Sequence, residues 1–127
     1  MTVQFTLQGE TPSKKNSRIN TRSGRSFPSK KFTQWHSTQK CELYSMLASQ
    51  KIERFENVEN LRIALSFYHG DLKRRDSDNQ CSSIMDLLVD CGIIKDDNWV
   101  IVREKLIKDF YDKNNARCEI RIETLGA

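Results

Sequence analysis

The chain has 127 residues, enough for one domain whose core needs neither disulfide nor structural metal. Hydrophobic residues make up 37% and charged residues 30%, the balance of a soluble globular protein. No apolar run reaches the ~20 residues that span a bilayer, so no membrane partner is expected. The start Met1-Thr2-Val3-Gln4-Phe5 has neither the basic end nor the apolar core of a signal peptide, and the expected location is the cytoplasm. Net charge is +4, a modest excess whose distribution says more than its size.

Cys41, Cys81, Cys91 and Cys118 form no Cys-x-x-Cys pair and have no partnered histidines. That excludes a recognisable zinc finger and argues against a secreted disulfide scaffold. All four fall on apolar faces of expected elements, so buried free thiols are expected.

In chain order, Val3, Phe5 and Leu7 alternate with polar residues and read as a strand. Gly9, Pro12 and Ser13 open a long polar loop to about Ser29. Lys14, Lys15, Arg18, Arg22, Arg25, Lys30 and Lys31 follow with no acidic residue among them. Residues 10–31 are therefore read as a basic, DNA-contacting arm that grips phosphates. From Phe32 to Lys51 the apolar spacing turns helical, with Trp35 and His36 expected to pack against the core. Leu61, Ile63, Leu65 and Phe67 alternate as a second strand, which leads through His69 into Arg74-Arg75-Asp76-Ser77-Asp78-Asn79.

Ser77 or Asp78 can cap the next helix. Its buried stripe is Cys81, Ile84, Met85, Leu88 and Cys91, and Gly92 supplies the stop. After Lys95-Asp96-Asp97-Asn98, the β-branched run Trp99–Phe110 reads as a third strand, with Trp99 in the core. Cys118, Ile120 and Ile122 alternate as a fourth, and the last two strands are expected to form a hairpin. The order β-α-β-α-β-β gives an α/β (α+β) single domain over residues 1–127, a mixed sheet of about four strands with helices packed on it.

Acids collect at two separated places in this otherwise basic chain. Asp76 and Asp78 are two apart, so an extended segment points both side chains the same way. The helix that follows returns the chain toward the sheet, where Asp97 can meet the pair. Carboxylates about 4 Å apart repel by roughly 4 kcal/mol at a near-surface dielectric, and a cation offsets that cost. Oxygen donors select magnesium, with manganese as substitute, over zinc. Arg74 and Arg75 beside the acids point to a phosphate substrate, and the combination to metal-assisted cutting of nucleic acid.

These residues resemble the RusA-type Holliday-junction resolvases. The resemblance rests on Arg74-Arg75-Asp76-Ser77-Asp78-Asn79, the helix, Gly92, and Asp96-Asp97-Asn98 before a β run. Thr11-Pro12-Ser13-Lys14-Lys15-Asn16 is similar to that family's loop after the first strand. It implies a homodimeric, magnesium-dependent endonuclease that cuts four-way DNA junctions symmetrically in recombination and repair, of a kind often encoded by phages. It places the essential metal-binding carboxylates at Asp76, Asp78 and Asp97, with Asp96 as helper. The chain departs from the pattern at Ser82, where a lysine is common, and at Ser77, where the usual residue is apolar. Lys14, Lys15 or Lys95 is the available substitute for that lysine. Two other readings stay open: a junction- or DNA-binding protein weakened in catalysis, and a small structural protein whose acids are only caps and turns.

Overall fold

The computed structural model describes residues 1–14, 18–20, 24 and 26–126, with the backbone alone for 18–20 and 26–28. The element order is β1 (Thr2–Gln8), β2 (Arg18–Asn20), β3 (Ser26–Pro28), α1 (Lys30–Ala48), β4 (Leu61–His69), α2 (Ser77–Asp90), β5 (Val102–Tyr111) and β6 (Arg117–Thr124). A mixed four-stranded sheet runs in the order β1-β6-β4-β5, and β2 and β3 form a small antiparallel pair. The fold is α+β, as the periodicities led us to expect. The polar loop also holds a short hairpin that its composition hid.

The expected pairing of the last two strands fails. The last two strands do not pair with each other, because β5 lies parallel to β4 and β6 lies antiparallel between β4 and β1. The reason is the crossover through α2, which brings the chain back on one side of β4 and builds a β-α-β unit. Residues 112–116 then pass over the end of β4: Asp112 N donates to His69 O at 2.8 Å and Gly9 N to Ala116 O at 2.8 Å. Strand periodicity reveals that a strand exists and is silent about its partner.

The core gathers on one face of the sheet. Phe5, Leu7, Ile63, Leu65, Phe67, Ile120 and Ile122 pack with Leu43 of α1 and with Ile84, Leu87 and Leu88 of α2. The alternating residues of β4 and β6, such as Arg62 and Arg121, are partly or fully exposed, which is the pattern of a sheet covered on one face. Ser29 caps α1 by accepting from Phe32 N at 3.1 Å. Gly92 adopts φ +70° just past α2, the left-handed stop its sequence position suggested.

The thiols and tryptophans divide. Cys81, Cys91 and Cys118 are buried and free, whereas Cys41 is exposed on α1. Trp35 packs partly buried against the core, but Trp99 is 72% exposed, because it lies in the turn before β5 rather than in the strand. His36 stacks on Phe32 and also pairs with Asp90 at 2.9 Å, so it packs and bonds at once.

Candidate active site

Asp76 ends the extended segment after β4 and is the N-cap of α2; its carboxylate accepts from Asp78 N at 3.1 Å. The cap is thus Asp76, not Ser77 or Asp78, because Asp76 keeps the extended backbone of a cap while Ser77 is already helical. Asp78 occupies the first turn, where a carboxylate faces the positive end of the helix dipole. Both acids are exposed at a strand-to-helix corner.

The second acidic group follows α2. Asp96 organises its own turn, accepting from Asp97 N at 2.7 Å and Asn98 Nδ2 at 3.1 Å, and these bonds hold its carboxyl below the ordinary range. Asn98 Oδ1 in turn accepts from Val100 N and Ile101 N. Asp97 is left exposed at the apex. Asp78 and Asp97 both act on the buried thiol of Cys81, whose pKa is raised first by desolvation and then by their charges; Lys105 of β5 opposes them. Asp78, Asp97 and Lys105 thus all act electrostatically on one buried cysteine.

The carboxylates of Asp76, Asp78, Asp96 and Asp97 form no ion pair among the described residues, where the basic side chains in salt bridges pair elsewhere. Nor are three or more His, Cys, Asp or Glu side chains among the described residues gathered closely enough to hold a metal. As a donor set the acids fit a hard divalent cation: they are oxygen ligands, exposed, and form no salt bridge with a lysine or arginine among the described residues.

Beside Asp76 opens a cleft of about 200 Å³, lined by Glu10, Thr11, Pro12, Ser13, Lys31, Arg74, Arg75, Asp76 and Gln80. Its wall is a segment that sequence reading treated as loose loop. Gln80 Nε2 donates to Thr11 O at 2.8 Å and to Glu10 Oε2 at 3.0 Å. Ser83 Oγ donates to Pro12 O at 2.7 Å and accepts from Lys14 N at 3.2 Å, while Lys14 Nζ reaches Asp86 at 3.3 Å. Gln80, Ser83 and Asp86 recur every three residues along one face of α2, so the loop is fastened to that helix turn by turn. Thr11, Gln39, Gln80 and Ser83 are the buried polar residues of the described chain, and each belongs to or bonds this segment, Gln39 through Gln8 O at 3.2 Å. Burying them requires such partners.

Glu10 is the hub that sequence reading missed. Its carboxylate lies 3.0 Å from His69 Nδ1 and 3.3 Å from Arg75, and it takes the Gln80 amide. His69 Nε2 meets Asp109 at 2.8 Å. Arg75 also binds Asp71 at 2.7 Å, which holds the Asp71 carboxyl down to about 2. The one signal available was two polar residues, Gln80 and Ser83, set into an otherwise apolar stripe.

The expected DNA-contacting residues divide as well. Lys30 and Lys31 are exposed in the first turn of α1, and Lys31 faces the cleft with Arg74. Arg75 and Lys14 are engaged in the pairs above. Lys15, Arg22 and Arg25 lie outside the described residues, as does the side chain of Arg18 in β2. Ser82 donates to Asp78 O at 3.2 Å. A family model described as Endodeoxyribonuclease RusA matches residues 9–123, spanning the fastened loop and both acidic groups. No curated protein matches the chain.

Proposed function

Because the chain belongs to the RusA endodeoxyribonuclease family, we propose that this endonuclease resolves four-way DNA junctions by paired phosphodiester hydrolysis, as a magnesium-dependent homodimer. The observation that carries the reading is the pairing of acids that form no salt bridge among the described residues with a cationic rim: Asp76 and Asp78 at the start of α2, Asp97 sharing with Asp78 an effect on the Cys81 thiol, and Lys31 and Arg74 at the adjoining cleft. In this reading Asp76, Asp78 and Asp97 hold the cation, with Asp96 fixing the turn that presents Asp97. A magnesium or manganese ion held by these carboxylates would supply the activation of a water and the stabilisation of charge on the phosphate.

The remaining work falls to the chain's own groups. Lys31 and Arg74 bind flanking phosphates, and Lys30 with the basic arm of residues 10–31 extends that grip. The fastening of residues 10–14 to α2 fixes where the arm departs. Lys105 takes the place of the lysine missing at Ser82, because it stands on the Cys81 side of β5 with no ion pair among the described residues. A two-fold dimer presents two equivalent sites to a two-fold junction, which suits symmetric cutting. The same reading gives residues 1–127 as one domain, acting in DNA recombination and repair in the cytoplasm.

Purified protein with a synthetic four-way junction and magnesium tests the proposal. Paired cuts are expected, lost in Asp76→Asn and Asp97→Asn while junction binding survives, and slowed in Lys105→Ala. No cutting by the unaltered chain in magnesium or manganese would sink it. The binding-only reading draws on one observation, that the carboxylates are not gathered into a cluster. It expects salt-sensitive junction binding without incision under either ion.

A further inference from the structure

Strand β5 is the outer strand of the four-stranded sheet, and along its ten residues most side chains are exposed. Leu106 is 48% exposed and Phe110 43%, large apolar side chains on an edge that is otherwise rich in charge. A long open edge is a template for another strand, and folded proteins shield such edges or use them.

The backbone of β5 limits how a second strand can join. Asp112 N donates to His69 O, and the register from Arg62↔Glu104 to His69↔Tyr111 has no interruption. Even-numbered residues of this stretch therefore turn their backbone groups to β4, and odd-numbered ones turn theirs to the open side. Two copies pairing antiparallel must then oppose residues of like parity. A two-fold axis centred on Lys105 sets two ammonium groups face to face. An axis on Ile107 sets Lys105 opposite Asp109, but Leu106 against Lys108 and Glu104 against Phe110. Centred on Leu106, it places Leu106 against itself, Glu104 opposite Lys108, Arg103 opposite Asp109 and Val102 opposite Phe110, each charge pair occurring twice.

We propose that two copies of this chain join edge to edge through β5 in the register centred on Leu106, making one continuous sheet across the dimer. Charge complementarity favours this register, which makes two kinds of opposite-charge pair against one for the axis on Ile107, although it also sets Lys105 opposite Ile107. Lys108 has no ion pair among the described residues, and Glu104, bonded to Arg62 at 2.6 Å, keeps half of its side chain exposed. The axis stands perpendicular to the sheet, so both copies carry α2 and the acidic groups on the same face of the joined sheet. This deepens the dimer of the proposed function and rests on that reading for its purpose, though not for its evidence.

Sedimentation equilibrium of the full chain, with Glu104→Lys and Lys108→Glu made separately, tests the register. The unaltered chain is expected to be a dimer. Each variant alone opposes like charges twice, and its self-association should weaken by about tenfold or more. An equimolar mixture of the two restores opposite charges at both pairs and should recover the dimer. Leu106→Glu, at an exposed position that tolerates charge in the monomer, sets two carboxylates on the axis and should also dissociate it. A dimer that survives in all three variants, or a mixture no tighter than its components, overturns the register; an unaltered chain that stays monomeric overturns the interface altogether. A chain that dimerises in this manner yet cuts no junction leaves the interface standing and removes only the nuclease reading.

Discussion

The two ends of the site are built in opposite ways. The segment from Gln8 to Lys14 is fastened by buried side chains of both helices, Gln39, Gln80 and Ser83, whose polar atoms have few other partners. The turn at Asp96–Asn98 is exposed and, among the described residues, holds itself by local bonds. A buried fastening contributes stability and position together, whereas an exposed carboxylate can be altered with little effect on folding. Stability and catalysis should therefore separate along the site.

The largest separation is expected at the exposed end. Asp97→Asn or Asp78→Asn should lower junction cleavage by about a hundredfold or more. The same variants should change unfolding free energy by under about 0.5 kcal/mol, read by urea titration. A stability loss of several kcal/mol would mean that these acids are structural. Ser83→Ala should act at the fastened end. It leaves Pro12 O and Lys14 N without their side-chain partner, and about 1–3 kcal/mol of stability should disappear in the same titration.

Asp76 belongs to both ends and can divide them. Asparagine caps a helix as well as aspartate, so Asp76→Asn should lose cutting with its melting temperature kept. Asp76→Ala should lose about 1 kcal/mol besides. Equal melting temperatures for the two would show that the cap bond to Asp78 N contributes nothing.

The smallest effect concerns Asp71. The Arg75 guanidinium holds its carboxyl down to about 2, below the ordinary value. A depressed carboxyl contributes its stabilisation in full above its unfolded value, near 4, and loses it as pH falls through about 2. Carbon-detected NMR titration should place the Asp71 midpoint near 2, and Arg75→Gln should move it upward. An unmoved midpoint would dissolve the Asp71–Arg75 link in the wall of the cleft.

Much of this architecture could be read from periodicity, and the failures have physical causes. Alternation at Val3, Phe5 and Leu7 and at Leu61–Phe67 marked strands because one face of the sheet is buried and the other is wet. The stripe through Cys81, Ile84 and Leu88 marked α2 for the same reason. The partner of β5 was illegible, since pairing is set by the crossover through α2 and not by the strand's own residues. Trp99 and Cys41 misled because an apolar residue carries no label saying whether its element's inner face reaches it. Asp76, Asp78 and Asp97 stood out in the sequence as charges close together. Glu10 did not: its partners His69, Arg75 and Gln80 lie far along the chain, and only folding brings them to it.

The central claim is that Asp76, Asp78 and Asp97 act as one divalent-cation site. Calorimetric titration of magnesium and of manganese into the unaltered chain and into Asp78→Asn and Asp97→Asn measures it directly. Saturable binding that falls by at least about tenfold in both variants is the predicted result. Binding that persists unchanged when either carboxylate is neutralised would contradict it.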